Sequence, residues 1–364
     1  MNGSNKSTVR IQPTDSAATK AQNGNGPVPG VNICVVGAGF VGLVTAAGFA
    51  DFGHNVVCVE KDPRRLDLLQ SGRLPFYERD LQELITTNVA NSRLSFSADL
   101  PDALDNQRAI FIAVGTPASS TGRTDLGALE EVTDALNDHV TDNQIVVIKS
   151  TAPIGAAGRL KNKLNGRSDR RTPVISNPEF LREGSAVYDF FNPQRIVIGG
   201  DDPEAVDVIT HIHRLGMKKQ APFVITNNET AEMIKYASNV FLATKIGLVN
   251  EIAAVCDPLQ VNVVEVARGM GLDPRIGADF LNPGPGWGGS CLPKDISEFQ
   301  GLAKSVGVET NIAHAVTVAN QRHQERIAEK VQRMLDGLED KNIAALGMAF
   351  KADTSDTRNS PALA

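Results

Sequence analysis

The residues best suited to chemistry lie in "GGSCLPKD" (288–295), where Cys291 follows two glycines. Pro293 suits a first helical turn, and Ile296, Phe299, Leu302 and Ala303 recur at helical spacing, so a helix is predicted to open just after the cysteine. The free N–H groups and dipole of that end favour a thiolate, as does Lys294. That is the setting of a nucleophile. The alternative is a small buried thiol in a tight turn.

Three further stretches carry polar groups at telling intervals. "NPEFLREG" (177–184) sets Glu179 and Glu183 four apart near a strand end, and "IKYASN" (234–239) sets Lys235 and Asn239 on one helix face. "FLNPGPGWGGSC" (280–291) is a glycine-rich loop whose backbone can approach a polar ligand. Taken singly, each has a plain alternative: a solvated Glu face, a surface pair, a connection.

The elements that must position these groups begin with "VNICVVGAGFVGLVTAAGFADFGHNVVCVEKD" (31–62), a strand, a glycine turn, an apolar helix and a second strand. Gly37, Gly39 and Gly42 match GxGxxG: the first permits the turn, the second admits a pyrophosphate, and the third allows close helix–strand packing. Glu60, ending the next strand, can accept from ribose hydroxyls and so favours NAD over NADP, although Lys61, Arg64 and Arg65 could offset its charge. Strands follow at 109–117, 144–151, 173–180 and 195–200, with helical stretches between several of them. The expected fold class is α/β: an N-terminal Rossmann-like, doubly wound parallel sheet, then an all-helical central domain. Thr116, Thr151 and Glu179 fall at strand carboxyl ends, where such sheets bind ligands. "KNIAALGMAF" (341–350) reads as the opening strand of a second Rossmann-like domain.

The expected division is a disordered tail over 1–30, a NAD-binding Rossmann-like domain over 31–226, a helical central domain over 227–330 and the start of a second Rossmann-like domain over 331–364; the family resemblance described below implies that the helical domain serves dimerisation and that the last domain binds UDP. Bulk composition agrees with a soluble protein: 364 residues, 41% hydrophobic and 21% charged. A formal charge of −6 with no basic block argues against nucleic-acid partners, and no apolar run suggests a membrane span. The tail lacks the apolar core of a signal peptide, and four cysteines without CxxC spacing suit a reducing, cytoplasmic setting. His211 and His213 lie two apart in a helical pattern, so no metal site is expected.

In combination, "NPEFLREG", "GGSCLPKD" and "AFKADTSDTR" make the chain resemble the nucleotide-sugar 6-dehydrogenases, most closely those acting on UDP-glucose. The resemblance runs from about Asn32 to the end of the chain. It implies oxidation of a sugar C6 alcohol to a carboxylate with two NAD+, through an aldehyde and a cysteine thioester. Cys291 would attack the aldehyde, and Lys235 and Asn239 would stabilise negative charge on oxygen. Asp295 would position water or orient Lys235; Glu179 would handle protons in thioester hydrolysis, with Thr151 and Glu183 holding water and cofactor.

The resemblance points to Glu60, Arg65, Thr116, Thr151, Glu183, Lys294 and Arg358 for cofactor. For the nucleotide sugar it points to Glu179, Phe180, Leu181, Arg182 and Glu183, to Lys235 and Asn239, to Phe280, Leu281, Asn282, Pro283 and Gly284, and to Gly288 and Lys351. Arg275, in "DPRIG", matches an arginine reaching the neighbouring subunit's substrate, which implies a homodimer or higher homo-oligomer. Family members continue for roughly another hundred residues as the UDP-holding domain. The same parts serve GDP-mannose and UDP-N-acetylmannosamine 6-dehydrogenases, while "NPQRIVIGG" and "DPRIG" favour UDP-glucose. A catalytically silent NAD- or nucleotide-sugar-binding regulator is the reading from another class.

Overall fold

The structure is a computed structural model that describes residues 10–12, 30–119, 122–166, 170–217 and 220–363. Nine strands form one sheet: β1 (Arg10–Gln12), β2 (Asn32–Val36), β3 (Asn55–Val59), β4 (Leu94–Ser97), β5 (Ala109–Ile112), β6 (Ile145–Ile148), β7 (Val174–Ser176), β8 (Ile196–Gly199) and β9 (Phe223–Thr226). Their order is β1-β9-β8-β7-β6-β5-β2-β3-β4. From β4 to β7 all pairs are parallel, so the first six strands of the fingerprint region take the doubly wound order, with its switch point between β2 and β5. Their Val/Ile-rich composition follows from burial on both faces. Successive residues of β2 alternate: Ile33 and Val35 enter one core, Cys34 and Val36 the other.

Helices α1 (Phe40–Asp51), α2 (Pro63–Gln70), α3 (Leu81–Ala90), α4 (Leu100–Ala103), α5 (Gly127–His139), α6 (Ala156–Asn165), α7 (Ala186–Phe191) and α8 (Pro203–Arg214) accompany the sheet. Several start where the sequence dictates: Asp62 and Asp202 accept N–H groups of the first turns that Pro63 and Pro203 open. The remaining helices are α9 (Asn228–Leu259), α10 (Val263–Gly271), α11 (Leu292–Ser305) and α12 (Asn311–Met334). Contacts divide the chain into a sheet unit, 1–116 with 125–235, and a helical unit, 117–124 with 236–364. Helix α9 belongs to the first through Lys235 and to the second from Tyr236 onward.

Four features differ from the sequence reading. The sheet is not wholly parallel, because β8 runs antiparallel to β7 and β1 antiparallel to β9. Strand β1 lies inside the tail expected to be disordered; most of that tail falls outside the described residues. Residues 341–348 form no strand, since no described strand stands beside them to satisfy their backbone groups, and Leu346 is 95% exposed. Helix α9 is long and apolar enough by composition to cross a membrane, its most apolar 18 residues having a mean hydropathy of 1.4, yet the helix also carries the buried polar residues Glu232, Lys235 and Asn239.

Candidate active site

In the sheet unit the three fingerprint glycines each have a physical reason. Gly37 has φ of +100°, and a Cβ on Gly42 would lie 1.8 Å from the Gly37 carbonyl oxygen, so helix α1 can pack this closely only without one. Around Gly39 nothing lies within 4 Å of the same position, which leaves the α1 N-terminus open to an approaching phosphate. Glu60 is buried; its Oε2 accepts the Ala38 N–H at 3.2 Å and its Oε1 the Asp62 N–H at 2.9 Å. The carboxylate thereby ties the glycine turn to the end of β3. Arg65 lies 3.9 Å from it, whereas Lys61 is bonded to Glu131 rather than offsetting Glu60. Thr116 Oγ1 donates to the Thr151 carbonyl at 2.9 Å, joining two expected cofactor residues at the ends of β5 and β6. These residues fit a dinucleotide with free ribose hydroxyls.

The "NPEF" segment leaves β7 beside α9. Lys235 Nζ donates to Glu179 Oε1 at 2.9 Å, with both side chains almost wholly buried. Glu179 also accepts the Leu181 N–H, which curls the segment back on itself. The Phe180 ring lies under Arg195 at 3.7 Å and under Lys235 at 5.4 Å. Gly184 and Ala186 donate their N–H groups to the buried Glu78, which fixes the turn that holds half-buried Glu183. Arg182 is turned to Asp189 in a two-point ion pair. Glu232, three residues before Lys235, accepts the Gly155 and Ala157 N–H groups at the start of α6, and burial raises its pKa. Thr151, Ser150, Ser176, Glu232 and Lys235 help to line a cavity sized for about one water.

In the helical unit, Cys291 is exposed and occupies the N-cap of α11; Cys34, Cys58 and Cys256 are buried, and burial pushes the Cys34 thiol up to about 12. Its neighbour Ser290 places Oγ 3.6 Å from the sulfur. One turn in, Asp295 is buried; its N–H donates to the Cys291 carbonyl, and its Oδ2 accepts from Asn239 Nδ2. Lys294 Nζ lies 2.8 Å from Asp295 Oδ1, off the line a hydrogen bond needs. The glycine loop before Cys291 is pinned at several points. Asn250 accepts the Gly284 N–H, His323 bonds the Gly284 carbonyl, and Asn320 both accepts from Trp287 N–H and donates to its carbonyl. Phe280 takes φ of +64°, a strained setting for a non-glycine residue, and Leu281 beside it is buried against Val249 and Ala267. Asn282, next along, is exposed, and Pro283 half-buried.

The C-terminal stretch docks on the same loop. Asn359 Nδ2 donates to the Gly289 carbonyl, and a Cβ on Gly288 would lie 2.1 Å from the Asn359 carbonyl oxygen. Arg358 and Arg275 are ion-paired to their near neighbours Asp356 and Asp273, and Lys351 is exposed.

The description "UDP-glucose/GDP-mannose dehydrogenase family, NAD binding domain" matches residues 31–215, and the same family's central domain matches 229–322. The chain belongs to the UDP-glucose/GDP-mannose dehydrogenase family. It is 41% identical over 333 residues to the UDP-glucose 6-dehydrogenase TuaD of Bacillus subtilis, covering 91% of this chain and 72% of that one. The solved UDP-glucose dehydrogenase of Pyrobaculum islandicum superposes with a TM-score of 0.88 at 36% identity, over 93% of this chain and 79% of that one. A UDP-D-ManNAc dehydrogenase from Pyrococcus horikoshii gives a TM-score of 0.81 at 28% identity, over 92% and 79%. The family carries a NAD-binding domain, as Glu60 and the glycine turn require.

Sequence reasoning passed over the residues that brace these family motifs: Glu78, Lys149, Glu232, Asn250, Asn320 and His323. "PFYERD" alone offered a signal, a carboxylate in an otherwise turn-like stretch. The others stand in ordinary strand or helix patterns.

Proposed function

We propose that this chain oxidises UDP-glucose to UDP-glucuronate in two NAD-dependent steps, with Cys291 as the nucleophile. The observation that carries this reading is helix α9, which presents Lys235 and Asn239 one turn apart, each bonded to a buried carboxylate. Such a helix can direct an ammonium and an amide at one oxygen while the carboxylates hold their orientation.

Bound NAD+ supplies the hydride acceptor for both oxidations. In the first, the C6 hydroxyl passes its proton to water as a hydride leaves carbon; Lys235 and Asn239 stabilise the oxygen as its charge grows. In the second, Cys291 Sγ adds to the aldehyde carbon, and the carbonyl electrons move to oxygen, giving an alkoxide that can release the second hydride. The product is a thioester. Water adds to it, the C–S bond breaks and the thiolate returns, with Glu179 taking the proton from water. Thr151 and Glu183 hold water and cofactor; Arg65, Thr116, Lys294 and Arg358 hold cofactor; the Phe180–Arg182 turn, the Phe280–Gly284 loop, Gly288 and Lys351 hold the nucleotide sugar. The enzyme acts in the cytoplasm as a homodimer, with Arg275 serving the neighbouring subunit, and residues 331–364 open a UDP-binding domain.

The test is NADH formation by the full-length protein with UDP-glucose, GDP-mannose and UDP-N-acetylmannosamine. Two NADH per UDP-glucose, with the other sugars at least about tenfold poorer in kcat/KM, is the expected result; at least about 1.4 kcal/mol of discrimination then lies in the sugar pocket. Preference for another sugar would reassign the substrate.

A further inference from the structure

Lys149 follows the last residue of β6 and is a buried lysine, 5% exposed, that the reaction described above does not use. Its Nζ donates to Asn177 Oδ1 at 3.0 Å. The same oxygen lies 2.9 Å from His213 Nε2, and Asn177 Nδ2 donates to the Val197 carbonyl at 2.8 Å. An ammonium has donors only, so the Asn177 oxygen must face it. His213 must then donate through Nε2–H. Burial, reinforced by the positive charge of Lys149, holds His213 well below its ordinary value, which keeps the ring neutral. The network therefore has one orientation. It starts at Lys149 and ends on the Val197 carbonyl of β8, and its centre, the Asn177 side chain, opens "NPEF" two residues before Glu179.

Charge gives the cluster a second property. Glu179 and Lys235 both lie close enough for their charges to act on Lys149. The groups facing it are thus Glu179 after β7, Lys235 on α9 and His213 on α8, with His54 beyond His213. With His213 neutral, the ammonium groups of Lys149 and Lys235 stand in a buried region with the carboxyl groups of Glu179 and Glu232. The Lys149 ammonium adds positive potential at the Glu179–Lys235 pair, and that contribution goes when Lys149 gives up its proton.

We propose that Lys149 is a positioning residue for the reaction: through Asn177 it fixes the segment that carries Glu179, and its charge keeps the Glu179–Lys235 pair electropositive for the oxyanion. This rests on the roles given to Glu179 and Lys235 under the proposed function. Burial, against the opposing pull of Glu179, brings the Lys149 ammonium down to about 8, so its charge is lost within reach of an activity measurement. Activity should fall as that proton leaves.

The experiment is the kcat–pH profile of full-length protein at saturating NAD+ and UDP-glucose, from about pH 6.5 to about 9.5, a range that brackets this ionisation. The unmutated protein should show an alkaline limb near pH 8. Lys149→Met should lower kcat at neutral pH at least about tenfold, remove the limb and leave KM for NAD+ within about threefold. Asn177→Asp, of the same size, puts a carboxylate against the ammonium and should move the limb up by about one pH unit. If Lys149→Met does not fold, Asn177→Asp decides alone. A missing limb in the active unmutated protein, or a limb that neither variant moves, overturns the role of Lys149 and leaves the proposed function standing. An unmutated protein that oxidises no nucleotide sugar overturns both.

Discussion

At the scale of residues, Cys291 is set apart by position more than by type. Three of the four cysteines are buried, and only Cys291 caps a helix in the open. The sequence singled it out by the glycines before it and the helical spacing after it but left a buried thiol as the alternative, and its exposure at the N-cap decides between them. In the proposed reaction the first oxidation needs no thiol, whereas the second draws on Cys291, since an aldehyde has no alkoxide until a nucleophile adds. Cys291→Ala should therefore abolish steady turnover and slow oxidation of supplied aldehyde by more than about tenfold, equivalent to about 1.4 kcal/mol of barrier. Stopped-flow NADH formation from the aldehyde checks this, and a rate within tenfold of the parent would point to water as the attacking group. What the sequence did not show at this scale is Lys149, which sits in an apolar strand run and reveals its partners only when β7 and α8 are placed beside it.

At the scale of elements, short-range chemistry was legible and long-range bracing was not. The glycine turn, strands β2, β3 and β5 to β8, and the opening of α11 follow from local patterns of turn residues and spacing. The antiparallel turn of β8 does not, because pairing direction depends on the path of the connection rather than on the strand's composition. Nor does Asn320, thirty-three residues from the loop it holds. Asn320 is buried and satisfies both backbone groups of Trp287, whose ring packs with Ala243, Ile296 and Val316. Asn320→Ala leaves a donor and an acceptor unpaired and should cost about 2–3 kcal/mol. Thermal melting reads that loss, and a rise in KM for the nucleotide sugar should accompany it while KM for NAD+ stays put. Unchanged melting would mean that the loop is held elsewhere.

The fold as a whole carries a pH dependence through its buried histidines. His54 Nδ1 accepts the Val31 N–H at 3.0 Å, so Nε2 must donate to the Ile212 carbonyl and the ring is neutral. Burial lowers the affinity of both His54 and His213 for a proton. In the unfolded chain each takes up a proton near pH ~6.5, so below that pH the unfolded state binds more protons and stability falls. Above it the two histidines contribute fully. Between pH ~6.5 and ~5 the loss should approach about 1 kcal/mol or more per pH unit, and His213→Gln should flatten it. Denaturant midpoints across this range supply the check; a midpoint independent of pH would show that both rings charge freely in the folded state.

One apolar face of α9 stays exposed among the described residues. Phe241, Leu248 and Val255 recur every seven residues and are 64%, 49% and 60% exposed, and Leu259 lies one further turn along. Helix α10 and the turn after it add Val264 and Leu272 at 64% and 80% exposure. Apolar side chains at such spacing on an outer face mark a surface that another molecule covers. A second copy of the chain is the occupant expected, since a two-fold contact needs only one self-complementary patch. Leu248→Glu with Val255→Glu puts two charges into that patch and should convert the protein to monomer at micromolar concentration, as read by light scattering after gel filtration. Activity should fall with it, because Arg275, its side chain 88% exposed, is expected to serve the neighbouring subunit's substrate. A protein that is monomeric before any substitution, or a double variant that remains dimeric, would remove this face from the interface and Arg275 from its role across it.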